Sequence, residues 1–151
     1  MPNILLDAQN IVKHFPIKGG VFLKEIASVK AVDGVSITID EGETVGLVGE
    51  SGCGKTTFGR AILRLEEPTS GDIFFEGESI LGYDTNKMQA LREKMQIIFH
   101  DPYSSLTPRR TVGQTLEEPM RVHELYPRDD TRAVAEELLE SVGLSPNAID
   151  T

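Results

Sequence analysis

The chain has 151 residues, 39% of them hydrophobic, with 15 basic and 24 acidic side chains and a formal net charge of −9. That is enough apolar material for a real core, while the acidic balance repels nucleic acid and anionic lipid headgroups and argues against both as direct partners. No apolar run is long enough to cross a bilayer, and the opening Met-Pro-Asn-Ile-Leu-Leu-Asp lacks the basic and apolar regions of a secretion signal. These features point to the cytoplasm, without direct membrane insertion. A single cysteine, Cys53, excludes an internal disulfide framework. The charge is uneven: 12 basic and 15 acidic residues precede Thr111, and 3 basic and 9 acidic lie from Thr111 onward. The acidic final third reads as a solvated helix face or an acidic docking surface.

In chain order, residues 4–15 are strand-like, and the Pro-Ile-Lys-Gly-Gly of 16–20 is expected to break that strand. Residues 29–39 form a second β-rich stretch, in which Val35, Ile37 and Ile39 alternate with Ser36 and Thr38 at the period of a half-buried strand. A turn at 40–43 leads into a short apolar strand over 44–48. A helix follows over 56–65, with Phe58, Ala61, Ile62 and Leu65 on one face, and 68–71 end it. Strands are expected at 71–76 and 95–99, a short helix near 86–94 and a long polar loop over 101–108. Two helices complete the chain. One spans 111–123. The second, capped by Asp129 or Asp130, stops at Gly143 and carries Val134, Leu138 and Val142 as a one-sided apolar stripe with Leu139 beside it. No internal repeat or low-complexity tract is present. The organisation is a β-rich part over 1–110 and a helical part over 111–151.

The chemistry concentrates at Gly49-Glu50-Ser51-Gly52-Cys53-Gly54-Lys55-Thr56-Thr57. Gly49, Gly54, Lys55 and Thr56 fill the fixed positions of the phosphate-binding pattern G-x-x-x-x-G-K-[ST]. Glycines let the backbone approach a ligand, successive N–H groups turn inward, and the following helix aims its positive end at the same place. Lys55 would reach the β- and γ-phosphates and the Thr56 hydroxyl would bind Mg²⁺. Within this loop Cys53 reads as a small residue. A Gly-rich strand-to-helix turn without a ligand is the bland alternative. The strand before and the helix after weigh against it.

Three stretches, 30–36 (Lys-Ala-Val-Asp-Gly-Val-Ser), 46–57 and 98–106 (Ile-Phe-His-Asp-Pro-Tyr-Ser-Ser-Leu), resemble the ATP-binding subunits of ABC transporters. The last stretch and the insert 16–23 resemble the oligopeptide, dipeptide and nickel importer branch. The resemblance covers essentially the whole chain, as the N-terminal portion of such a subunit. It implies an α/β P-loop NTPase fold of ABC type: an N-terminal antiparallel β segment, a phosphate-loop core and the start of a helical subdomain, truncated. It also implies ATP and Mg²⁺ as ligands, and membrane permease subunits and a second ATP-binding subunit as partners, on the inner face of the membrane.

By the same resemblance Phe15 stands where an aromatic residue stacks on adenine, with His14 the fallback and a core aromatic at a strand end the bland alternative. His100 stands where the family has a glutamine that helps hold Mg²⁺ and relays the nucleotide state. Imidazole is a poorer ligand than an amide oxygen for that hard cation, and a surface loop histidine is the other reading. Arg92 and Lys94 read as helix-surface charges. Asp101, ending an apolar run, imitates the metal-holding Asp of P-loop NTPases, but no Glu follows it. The family's signature segment, second acidic strand and switch histidine would follow Thr151. The chain alone is therefore expected to bind ATP without sustained hydrolysis, and to self-associate through the sheet edge at 44–48. A non-hydrolysing docking module, a P-loop kinase and a GTPase are the alternatives. Asn86-Lys87-Met88-Gln89 lacks the Asp of a GTPase motif, and Arg109-Arg110 alone is weak support for a kinase lid.

Overall fold

The structure is a computed structural model describing residues 3–19, 24–99 and 106–151. The chain divides into two compact units, 1–88 and 89–151.

The first unit is built on an antiparallel sheet. β1 (Ile4–Gly19) pairs with β2 (Lys24–Asp40) on one side and with β3 (Ser70–Phe75) on the other, and β3 pairs with the two-residue β4 (Glu78–Ser79), giving the order β2-β1-β3-β4. Leu6 and Ala8 point into the core, but the next inward residue is Ile11, because Asn10 takes a left-handed backbone (φ 49°) and adds one residue to the ladder. The Asn10 N–H is then satisfied by the Ser36 hydroxyl at 2.8 Å. β3 passes so close to this bulge that a Cβ on Gly71 (φ 106°) would lie 2.6 Å from the Asn10 carbonyl oxygen, so only glycine fits there. Glu76 and Gly77 both have positive φ, the geometry of a two-residue hairpin turn whose twist matches its strands.

Proline 16 does not break β1. Its Cα partner is Ser28, and the strand runs on to Gly19. Beyond Val12 the β1–β3 pairing ends, so β1 has a single neighbour there and a missing N–H can face away from any ladder.

α1 (Lys55–Ile62) buries Phe58 and Ala61 against β1 and β2, with Phe58 and Val32 bordering the same cavity. Burial of these side chains contributes roughly 1.5–3 kcal/mol for each large one and provides the platform on which the loop before α1 rests. The helix stops three residues short of 65, because Arg64 turns left-handed (φ 49°). Its guanidinium then donates to the carbonyls of Ile80 (2.6 Å) and Tyr83 (3.2 Å), tying the helix end to the chain after β4. Leu65 is consequently exposed.

Two expected strands are not strands. Residues 44–48 and 95–99 make no ladder among the described residues, and Val48 and Ile98 are 94% and 97% exposed. Alternation and apolarity suit a residue to a strand, but a strand exists only where a neighbour accepts its hydrogen bonds, and the sheet above offers these segments none.

α2 (Thr85–Leu91) is capped by Asp84, whose side chain accepts from the Lys87 N–H. In the second unit, α3 (Val112–Val122) opens with a capping box in which Thr111 and Gln114 satisfy each other's backbone N–H groups at 3.1 Å. α4 (Thr131–Ser141) follows Asp130, which makes no side-chain cap bond, and it ends before Gly143 (φ 80°) as its sequence requires. A 3₁₀ turn, Pro146–Asp150, closes over the N-terminus of α3. Met120, Ala135, Leu139 and Ile149 form the core, with Val112, Leu116, Val134 and Ala148 packed against it.

The apolar stripe on α4 is rotated from the expected one. Thr131, Ala135 and Leu139 face inward, whereas Leu138 and Val142 are 45% and 70% exposed. The buried Thr131 hydroxyl, bonded to the Arg128 carbonyl (3.0 Å) and the Glu117 carboxylate (3.3 Å), faces its row inward. Glu117 is itself buried and is paired with Arg121 one turn on, which offsets the cost of its charge. No helix among the described residues is long and apolar enough to cross a membrane.

Candidate nucleotide site

The loop from Gly49 to Gly54 rises from the extended segment 44–48 and ends at the head of α1. Within it the Cys53 N–H turns back to the Glu50 carbonyl at 3.3 Å, and the Phe58 N–H to the Gly54 carbonyl at 2.8 Å starts the helix. The first turn of α1 carries no acidic residue, so its positive end is left for an anion. Gly54 (φ 99°) lies against β2, and a Cβ there would overlap the Ala31 carbonyl oxygen, leaving no room for any other residue.

Residues 51–57 line a cavity of about 430 Å³ that is closed on its other side by Val29, Lys30 and Ala31 of β2. Beside it lies a second cavity of about 330 Å³, bounded by Leu47, Val48, Phe58 and Val35 and again by Lys30 and Lys55, with Asp33 added. The structure thus gathers Ser51, Gly52, Cys53, Gly54, Lys55, Thr56 and Thr57 around one space, with the Thr56 side chain exposed and Lys55 half-buried. Lys55 is folded over its own loop. Its ammonium donates to the carbonyls of Gly49 (2.7 Å) and Glu50 (2.6 Å) and lies 3.5 Å from the Cys53 sulfur.

Phe15 is 38% exposed and sits opposite Val29 in the β1–β2 register, one strand away from the residues that line the loop cavity. The Lys13 ammonium lies 4.9 Å from its ring centroid and also donates to the Glu67 carbonyl. His14, the next residue on β1, bonds Asp33 instead. His100 and Asp101 lie outside the described residues. Among those described, no three His, Cys, Asp or Glu side chains converge on a metal position. The donors that fit a metal–phosphate pair are the Thr56 hydroxyl, the Lys55 ammonium and the backbone around Gly52, where added atoms would meet nothing within 4 Å.

Two features escape sequence reading. Lys30 and Asp33 both border the site, and Asp33 bridges Lys30 (3.1 Å) and His14 (3.0 Å), one carboxylate oxygen to each. Lys30, and secondarily His14, hold the Asp33 carboxyl below its ordinary range. Nothing in the one-dimensional pattern sets His14 opposite Lys30; that follows from the bulged hairpin register. By contrast, Lys13 over Phe15 could have been anticipated, since residues two apart on a strand share a face.

The sequence profile of the ABC transporter family matches residues 32–150. The chain belongs to the ABC transporter family. Among its relatives, the oligopeptide transport ATP-binding protein AppF of Bacillus subtilis is 43% identical over 95% of this chain and 44% of that protein. The dipeptide transport ATP-binding protein DppF of Escherichia coli is 42% identical over 97% of this chain and 43% of its own length. The glutathione import ATP-binding protein GsiA of Escherichia coli is 48% identical over 94% and 23%. The chain spans less than half the length of each of these relatives. In fold, this ABC-family chain resembles the ATP-binding cassette MJ0796, solved as a dimer bound to ADP and Pi (TM-score 0.74, 24% identity, 97% of this chain and 60% of that one). It also resembles cbiO1 from Clostridium perfringens (TM-score 0.66, 23% identity, 99% and 54%). Its architecture is that of the ABC-type P-loop ATPases.

Proposed function

We propose that the loop Gly49–Thr57 binds Mg-ATP and that the chain is part of the ATPase subunit of a peptide-importing ABC transporter. The observation that carries the binding is the placement of Lys55 and Thr56 at the head of α1, facing a cavity whose charged lining residues, among those described, are both lysines. Binding would require the Lys55 ammonium to exchange two loop carbonyls for phosphate oxygens, and the Thr56 hydroxyl would help hold Mg²⁺, which would offset the phosphates' charge. Phe15 stacks on adenine, worth roughly 1–3 kcal/mol by comparison with other base–aromatic contacts. The peptide-import reading is supported by the names of AppF and DppF. On this reading the partners are membrane permease subunits and a second ATP-binding subunit, met at the inner face of the membrane. By the family resemblance, His100 stands in the sequence where the metal-sensing glutamine is expected.

Binding here proceeds without sustained turnover by this 151-residue chain alone. Among the described residues no carboxylate lines the loop cavity to position a water, and Asp33 in the neighbouring cavity is already held by Lys30 and His14. Calorimetry with Mg-ATP on the parent and on Lys55→Ala tests the assignment. The parent should bind with Lys55→Ala losing most of the affinity; equal binding by the two sinks it. Steady multiple turnover abolished by Lys55→Ala would overturn the second statement alone.

A further inference from the structure

Among the described residues, the cavity over the loop has two charged lining residues, and both are cationic: Lys55 and Lys30. A triphosphate remains an anion even with its metal, and this chain already carries −9, so one lysine engaged with loop carbonyls is a thin electrostatic provision. Lys30 is differently placed. Like Lys55 it borders both cavities, but its ammonium is not folded onto the loop: the next residue, Ala31, packs its carbonyl directly on Gly54, which fixes the root of the Lys30 side chain against the phosphate loop. Its ammonium rests on Asp33, and the register that sets His14 opposite Lys30 lets His14 hold the other carboxylate oxygen. The Lys30 and Asp33 side chains are 62% and 54% exposed. An ion pair that wet is weak and readily exchanged for a more highly charged partner.

We propose that Lys30 is a second phosphate-contacting cation of the nucleotide site. It is parked on Asp33 when the loop is empty and swings to the phosphates when a nucleotide enters, while His14 keeps Asp33 in place as the resting partner. The four-carbon lysine stem supplies the reach and the sheet edge supplies the anchor. The inference rests on the reading that the loop binds ATP.

The test titrates Mg-ATP and Mg-ADP into four variants: Asp33→Asn, Asp33→Asn with Lys30→Met, Lys30→Arg, and Lys55→Ala. Using Asp33→Asn as the background removes the repulsion that an orphaned Asp33 would exert. Asp33→Asn should bind Mg-ATP about two- to fivefold more tightly than the parent, and adding Lys30→Met should weaken that binding about five- to tenfold, with a smaller loss for Mg-ADP. Lys30→Arg should stay within about twofold of the parent, because the charge is kept. Equal Mg-ATP affinity in Asp33→Asn with and without Lys30→Met overturns the proposal, as does a Lys30→Arg loss as large as that of Lys30→Met. If Lys55→Ala loses binding while the Lys30 changes do nothing, only the second cation falls. A parent that does not bind, or a Lys55→Ala variant that binds like the parent, takes the ATP reading down and this one with it.

Discussion

Gly54 packs so closely beneath Ala31 that a Cβ at position 54 would overlap the Ala31 carbonyl oxygen. One contact therefore does two things: it seats the phosphate loop on the edge of β2, and it demands glycine at the position where the loop becomes helix. Gly54→Ala must either push β2 aside or unwind the start of α1, on top of an unfavourable φ of 99°. It is expected to cost at least about 2 kcal/mol and to remove Mg-ATP binding. Thermal melts and calorimetry check it. A variant as stable as the parent would show that the loop is not anchored there.

A parallel contact organises the second unit. A Cβ on Gly113 would lie 2.6 Å from Ile149 Cγ1 and 3.0 Å from the Ile149 carbonyl, where the 3₁₀ turn closes over α3. Gly113→Ala should destabilise this unit by about 1–3 kcal/mol through overpacking. Thr111→Ala, which opens the capping box, should cost about 1 kcal/mol. Hydrogen exchange at the amides of residues 112–122 separates these from effects on the first unit, whose protection should not change.

Acid should loosen both units by the same route. Arg132 beside Asp150 holds that carboxyl below its ordinary range, and Lys30 with His14 does the same for Asp33. A depressed folded value means stability that is present above the unfolded value near about pH 4 and is lost as pH falls through the folded one. Asp150→Asn should therefore lower stability at pH 6 and flatten the decline between about pH 4 and 2. Melts across that range read it out; an unchanged acid limb would mean the pair contributes nothing in water.

Val48 and Ile98, each in an apolar segment without a ladder, are almost fully exposed. Such segments pair with whatever offers hydrogen bonds and an apolar face. The isolated chain is expected to self-associate in the micromolar range, and Val48→Lys should raise the fraction of monomer. Light scattering decides: a parent that stays monomeric throughout refutes the expectation.

The phosphate loop was legible in the sequence because its chemistry is local: glycine, lysine and threonine act at fixed separations along the backbone, and no distant residue is needed to recognise them. The start of α3 and the end of α4 were legible for the same reason, since the Thr111–Gln114 box and Gly143 act within one turn. What only tertiary structure decided depends on partners far away in the chain. Whether 44–48 and 95–99 become strands rests on a neighbour, not on their own alternation. The inward face of β1 shifts by one residue at Asn10 because Gly71 and Ser36 accommodate the bulge, and the buried row of α4 is the one that carries Thr131 to Glu117. The meeting of His14, Lys30 and Asp33 beside the loop arises from the same hairpin register, which periodicity cannot specify to one residue.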